Sequence, residues 1–318
     1  MITAILLLII GFGILIKGAD WLVDGSSALA RKYKVSELAI GLTIVAFGTS
    51  MPEFIVNTFA AYQSHADIAF GNIIGSNIFN LLAILGIAGL ITPLAVQSST
   101  VWKEIPLSFI AVLVLFLLSN SFFSENKVLS NIDGIILLAF FCFFLYYVFR
   151  HLKSENIPPI EINHKVFSNF KIWSFIILGL TFLIGGGKIV VINAVKIADI
   201  MGISQKIIGL TIVAAGTSLP ELVTSVVAAI KKNNDIAIGN IIGSNIFNIF
   251  FILGVSALVR PLDFNTNFNK DLYLLGVGTV LLFIAMFSGK KRQLDRWEAA
   301  ILLLIYVGYT IYLIKNEI

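Results

Sequence analysis

A chain of 318 residues that is 58% hydrophobic and 13% charged, with a mean hydropathy of +0.95, is too apolar for an ordinary soluble domain. Its net charge of +4 says less than the placement of its Lys and Arg, which sets orientation in a bilayer and does not mark a nucleic-acid partner. A single cysteine, Cys142, excludes an intrachain disulfide.

Apolar runs long enough to cross about 30 Å of hydrocarbon as helices predict ten spans, near residues 2–25, 37–63, 68–91, 104–121, 131–150, 171–198, 204–230, 236–259, 270–288 and 297–314. The first has no basic segment ahead of it and no small-residue cleavage site, so it reads as a permanent span. Lys17, Asp20 and Asp24 lie in it and Lys188 in the sixth, where they are expected to pair or to reach toward an interface. Ser36 and Ser204 sit where the second and seventh helices need N-caps. The polar stretch SENIPPIEINHK, with Pro158 and Pro159, reads as a short extended linker. The basic segment after the ninth span reads as a topology anchor. Phenylalanines are expected to face lipid, and Trp21, Trp102, Trp173 and Trp297 to anchor span ends. Most loop cations, among them Arg31, Lys32, Lys34, Lys103, Arg150, Lys153 and Lys290 to Arg292, fall on one side if the N-terminus is outside. The reading is therefore an all-α, multi-pass protein of the cell (plasma or inner) membrane, with both termini outside and the linker in the cytoplasm.

The chain contains one stretch twice. Residues 41–80 return as residues 209–248 without a gap, at an offset of 168, with 26 of 40 positions identical and the last ten the same letter for letter. The offset also pairs Gly11 with Gly179, Gly18 with Gly186 and Ser36 with Ser204. Each half is thus a five-helix repeat, residues 1–153 and 171–318, joined by a cytoplasmic linker over 154–170. Five is odd, so equivalent helices cross in opposite directions and the halves form an inverted-topology repeat, with any substrate site expected near the midplane between them.

Each copy puts a carboxylate directly after a proline inside an apolar run: Glu53 in GTSMPE and Glu221 in GTSLPE. Thr49 and Ser50 lie one helical turn before Glu53, as Thr217 and Ser218 do before Glu221. Pro52 and Pro220 predict kinks, with freed carbonyls that need partners at membrane depth. On the next span GNIIGSNIFN aligns Asn72, Ser76 and Asn80, and in the second copy Asn240, Ser244 and Asn248, as a polar stripe. Gly71, Gly75, Gly239 and Gly243 would admit a neighbouring helix closely. Small polar residues in membrane helices are commonly interhelical glue. Two glutamates at matched depths, each backed by the same stripe, are not explained as packing. Only oxygen donors are present, which suits Ca²⁺ and not zinc or copper. His65, His151 and His164 all fall in loops, so no histidine site is expected in the membrane.

At these residues the sequence resembles the calcium/cation antiporter family, which includes the sodium/calcium exchangers, and its size is similar to the compact prokaryotic members. The resemblance implies a secondary active antiporter exchanging Ca²⁺ for Na⁺ by alternating access, with cation sites between the second, third, seventh and eighth spans. Glu53 and Glu221 would be the shared ligands, surrounded by Thr49, Ser50, Ser76, Thr217, Ser218 and Ser244. Ala46 and Ala214 would give backbone carbonyls, Asn80 and Asn248 would complete the ring, and the first and sixth spans would be the moving pair. Many exchangers carry Asp where this chain has Asn248, so exchange against H⁺ or dependence on K⁺ stays open as the alternative. A cation channel or uniporter is a further reading, since oxygen-lined pores also suit cations. Enzyme activity at Ser50 or Ser218 is not expected, because no base accompanies them. The implied partners are Ca²⁺, a monovalent counter-cation and the lipid bilayer, with no cofactor and no obligatory protein partner.

Overall fold

The computed structural model describes residues 1–120, 127–151, 167–201 and 214–317. These are almost wholly helical: α1 (Ile2–Tyr33), α2 (Glu37–Thr49), α3 (Met51–Tyr62), α4 (Ala66–Ile91), α5 (Thr100–Asn120), α6 (Asn131–His151), α7 (Asn169–Ile200), α8 (Ala214–Thr217), α9 (Leu219–Ile230), α10 (Asn234–Val259), α11 (Phe268–Ala285) and α12 (Arg296–Glu317). Among the described residues, 8 helices are long and apolar enough to span a membrane, and α2 with α3 makes a ninth, bent by 50°. The tenth expected span, 204–230, is described only from residue 214 on, as α8 and α9. Ser204 lies outside the described residues, as does most of the linker expected over 154–170.

Local chemistry explains where these helices start and break. Ser36 caps α2, its Oγ accepting from the Ala39 N–H at 3.1 Å. Pro52 has no N–H to give the Gly48 carbonyl, so the ladder is interrupted; the proline then sits in the first turn of α3, where no donor is needed. Ser50 takes up the change of direction, at φ −82° and ψ 8°. Ser218, at φ −89° and ψ 10°, does the same before Pro220.

The helices α1 and α7 pack along each other in opposite directions. A Cβ on Gly18 would lie 2.8 Å from the Gly179 carbonyl, one on Gly179 would lie 2.8 Å from the Gly18 carbonyl, and one on Gly186 would meet the Gly11 carbonyl at 3.1 Å. Since Gly11 corresponds to Gly179 and Gly18 to Gly186, this crossing maps onto itself when the halves are exchanged. Opposite direction between equivalent helices is what an inverted repeat requires. Two short antiparallel pairs also join the halves: β1 (Leu94–Ala95) with β4 (Gln293–Leu294), and β2 (Val128–Leu129) with β3 (Leu262–Asp263), of which β1 and β3 stand at matched positions.

At the centre stand α4 and α10, with 78% and 83% of their apolar windows buried, against 28% for α1 and 17% for α12. Gly239 and Gly243 of α10 bring it against α2, where a Cβ would meet the Leu38 carbonyl at 2.9 Å and the Ala46 Cβ at 2.8 Å. Gly71 of α4 faces the Phe268 ring at 3.7 Å, while Gly75 has nothing within 4 Å among the described residues.

Two expectations about aromatic residues are corrected. Phe70, Phe144 and Phe250 are fully buried, and the rings of Phe54, Phe141, Phe247 and Phe251 pack against one another, so a share of the phenylalanines fills interhelical space instead of facing lipid. Trp102, Trp173 and Trp297 are exposed near helix starts, but Trp21 is held against Phe175 and Phe182 of α7.

Candidate cation site

The break at Ser50 places Thr49 and Ser50 at the end of α2 and Glu53 in the first turn of α3; Thr217, Ser218 and Glu221 stand likewise around the break before α9. Both carboxylates are buried, Glu53 at 1% and Glu221 at 0% exposure. Each is held by the other half. The Ser50 hydroxyl donates to Glu221 Oε1 at 2.8 Å, and the Ser218 hydroxyl donates to Glu53 Oε1 at 2.9 Å. Hydrogen bonds to an ionised group are the stronger kind.

The stripe on α4 and α10 joins the same crossed pattern. Thr49 Oγ1 lies 3.0 Å from Asn240 Oδ1, and Thr217 Oγ1 lies 3.5 Å from Asn72 Oδ1. The Asn240 amide donates to the Ser225 hydroxyl at 2.9 Å and to the Glu221 carbonyl at 3.3 Å. The Asn72 amide donates to Asn57 Oδ1 at 2.7 Å. In Asn72 and Asn240 both the amide nitrogen and Oδ1 are thus engaged, and the two side chains act as struts. Asn57 and Ser225, which the sequence reading did not single out, are their supports; they occupy matched positions but differ in type, so the duplication alone does not flag them.

Among the described residues, six buried side-chain oxygens in this region have no hydrogen-bond partner: Glu53 Oε2, Glu221 Oε2, Ser76 Oγ, Ser244 Oγ, Asn80 Oδ1 and Asn248 Oδ1. They form three pairs related by the offset of 168. Other unpartnered buried oxygens exist, on Ser26, Thr58, Thr224 and Ser256 among others, but none of those recurs at its matched position. Leaving a buried polar atom unpaired costs about 1–3 kcal/mol. A cost retained at three matched pairs of oxygens, with no nitrogen donor among them, fits an oxygen-coordinated cation. Among the described residues no group of three or more His, Cys, Asp and Glu is placed to hold a metal ion, and the acid donors of this site are the two glutamates.

Asn80 and Asn248 stand where each central helix widens into a π-helical turn, Phe79–Ile84 in α4 and Phe247–Leu253 in α10. Such turns are frequent at functional sites, because they free or re-aim a side chain. Ala46 is different. Its carbonyl already accepts from the Ser50 N–H at 3.0 Å, and the Thr49 hydroxyl, whose one proton has a nearer acceptor in Asn240 Oδ1 at 3.0 Å, lies 3.3 Å away. Ala214 opens α8, and its side chain lies outside the described residues.

Away from the site, Lys231 at the end of α9 reaches α1, with its Nζ 2.5 Å from Asp20 and 2.7 Å from Asp24. Burial opposes the charge on this lysine, but the two carboxylates outweigh it and hold the ammonium above the ordinary lysine range. Lys17 also meets Asp20, at 3.1 Å.

The family model described as "Sodium/calcium exchanger protein" matches residues 3–150 and 171–315 of this chain. The putative antiporter CaxA of Alkalimonas amylolytica is 38% identical over 325 residues, covering 99% of this chain and 100% of that protein. The sodium/calcium exchanger MaX1 of Methanosarcina acetivorans is 31% identical over 98% of this chain and 99% of its own length. A solved structure of the sodium-calcium exchanger NCX_Mj, soaked with zero Na⁺ and Ca²⁺, superposes with a TM-score of 0.83 at 32% identity, covering 98% of this chain and 99% of that one.

Proposed function

This chain belongs to the sodium/calcium exchanger family, and from that premise we propose that it exchanges Ca²⁺ for Na⁺ through one shared site built by both halves. The observation that carries the site assignment is the matched set of unpartnered oxygens on Glu53, Ser76, Asn80, Glu221, Ser244 and Asn248. Ser50 and Ser218 hold the carboxylates, and Thr49 and Thr217 tie the α2 and α8 ends to the opposite central helix. Ca²⁺ takes six to eight oxygens including carboxylates, and Na⁺ is served by the same donors.

Coupling follows from charge. Two ionised carboxylates in a dry site repel each other and are poorly solvated, so the bare site resists closure. One Ca²⁺ cancels both charges, and so do sodium ions; because both species need Glu53 and Glu221, they do not travel together. A neutralised site can pass through an occluded state and a bare one cannot, which makes the return step depend on the second cation. The paired helices α1 and α7 lie across the broken helices, with Gly48 against Leu180 and Gly216 against Val191 of α7. In this reading their displacement past the site opens one side and then the other. The membrane orientation we favour has both termini outside, on the distribution of loop Lys and Arg.

The test is radiolabelled Ca²⁺ uptake by purified protein in liposomes. Uptake should require outward Na⁺, and a K⁺ or pH gradient alone should not replace it. Appreciable uptake with no exchangeable cation opposite would sink the coupling argument.

A further inference from the structure

Asn77 and Asn245, one residue past Ser76 and Ser244, lie off the stripe that carries the candidate ligands, and both are buried. They meet across the pseudo-two-fold. The Asn77 amide nitrogen donates to the Asn245 backbone carbonyl at 3.2 Å, and the Asn245 amide nitrogen donates to the Asn77 backbone carbonyl at 3.3 Å. A backbone carbonyl only accepts, so these contacts fix which way each amide is turned. The nitrogens are committed to the opposite backbone, and each Oδ1 is left on the other side of its group.

Those oxygens are then used. The Asn248 amide nitrogen donates to Asn77 Oδ1 at 2.9 Å, and the Asn80 amide nitrogen donates to Asn245 Oδ1 at 3.1 Å. Orientation is thereby passed along a chain of three groups, from a backbone carbonyl through Asn77 to Asn248, and through Asn245 to Asn80. At each end one side-chain atom is left without a partner among the described residues, the Oδ1 of Asn248 and of Asn80. Without this relay an asparagine can present either oxygen or NH₂, and the two choices have opposite effects on a cation. A reading of Asn77 and Asn245 as interhelical glue accounts for their bonds to backbone, but not for the crossed pairing with Asn248 and Asn80.

We infer that Asn77 and Asn245 are positioning residues, which lock the side-chain amides of Asn248 and Asn80 with the carbonyl oxygen, and never the NH₂ group, toward the transported cation. The inference rests on the proposed role of Asn80 and Asn248 as ligands. It assigns each positioning residue to the ligand in the opposite half. No charge is involved, so the effect falls on ion affinity and discrimination and leaves the energetics of the two carboxylates alone.

The experiment is a set of double-mutant cycles read by Na⁺-driven Ca²⁺ uptake in liposomes, scored as half-saturating Ca²⁺ concentration and maximal rate. Asn77→Ala and Asn245→Ala should each raise half-saturating Ca²⁺ about tenfold, the equivalent of about one hydrogen bond, with little change in maximal rate. In the Asn248→Ala background, Asn77→Ala should add less than about twofold, whereas in the Asn80→Ala background it should keep most of its effect. Asn245→Ala should show the reverse pattern. Additivity in all four pairings, or a loss of thermal stability with half-saturation unchanged, overturns the relay. Asn77→Ser and Asn245→Ser, which shorten the side chain while disturbing the packing less, repeat the cycles where an alanine variant does not fold. If Asn80→Ala and Asn248→Ala themselves leave half-saturation unchanged, the ligand reading fails, and that result is distinct from additivity.

Discussion

Replacing Glu53 by Gln keeps the shape of the side chain and an oxygen to accept from Ser218, and removes one negative charge. At about 4 Å and an effective dielectric of about 20, two unit charges attract by about 4 kcal/mol, and a divalent ion doubles that. About 8 kcal/mol of gross attraction is therefore withdrawn from a carboxylate that is only 1% exposed. Part of it is returned, because a buried anion no longer has to be desolvated, at several kcal/mol per ion. A net loss of about 3–4 kcal/mol weakens Ca²⁺ binding by more than about a hundredfold. The bare site also changes from two negative charges to one, so one monovalent ion neutralises it and Ca²⁺ overcharges it. Exchange should be abolished at ordinary Ca²⁺ concentrations. Since Glu221 is matched in burial and in its serine donor, Glu221→Gln should do the same to the same degree. Calorimetric titration of Ca²⁺ with purified protein, paired with uptake in liposomes, checks both variants. Wild-type exchange in either one, or a large effect of only one, would refute a site shared equally by the halves.

Other expectations follow from single contacts. Ser50→Ala and Ser218→Ala each remove a hydrogen bond to a buried carboxylate, worth about 1.5–3 kcal/mol, and should alter half-saturating Ca²⁺ by matching factors of about ten to a hundred in uptake assays. Gly18→Ala puts a Cβ 2.8 Å from the Gly179 carbonyl; overpacking there should cost about 1–3 kcal/mol, read as a lower melting temperature in detergent. Gly75→Ala, with nothing within 4 Å among the described residues, should leave that temperature unchanged. Lys231→Gln should loosen α1 modestly, since partly exposed ion pairs are worth at most about 1 kcal/mol. A lysine held above the ordinary lysine range by its carboxylate partners contributes fully below that range and loses its effect only as pH rises beyond it. The difference between Lys231→Gln and the parent protein, measured by thermal melting, should therefore be constant across neutral pH and vanish only in strong alkali.

Much of the fold was legible because a membrane-spanning chain repeats one physical requirement, and a gapless duplication shows how the halves correspond. The break at Ser50 could be read from Pro52, and the face of Glu53 from its distance to Thr49 and Ser50. What sequence could not give is which partner each group finds across the interface. GTSMPE contains its own serine and its own carboxylate, and nothing in the letters says that Ser50 bonds Glu221 in place of Glu53. That crossing depends on the relative placement of two helix ends 171 residues apart in the chain. Asn77 escaped for a related reason: a stripe drawn at helical spacing through Asn72, Ser76 and Asn80 passes it by, and its partners are in the other half. The phenylalanines were misjudged because bulk apolar side chains serve lipid contact and interhelical filling equally well, and composition does not separate the two.

The tie from Lys231 to Asp20 and Asp24 has no copy. At the matched positions stand Gln63, Lys188 and Ile192, which cannot form it. A scaffold that maps onto itself when its halves are exchanged has two access states that are images of each other, and in a perfectly duplicated sequence the two would be equal in energy. Each asymmetric contact lifts that degeneracy. Lys231 fastens α1 to the end of α9 in this conformation, and the residues at the matched positions cannot make the same ion pair in the exchanged one. The two access states are therefore expected to differ in energy by the worth of this tie, at most about 1 kcal/mol, a difference set by residues away from the candidate ligands.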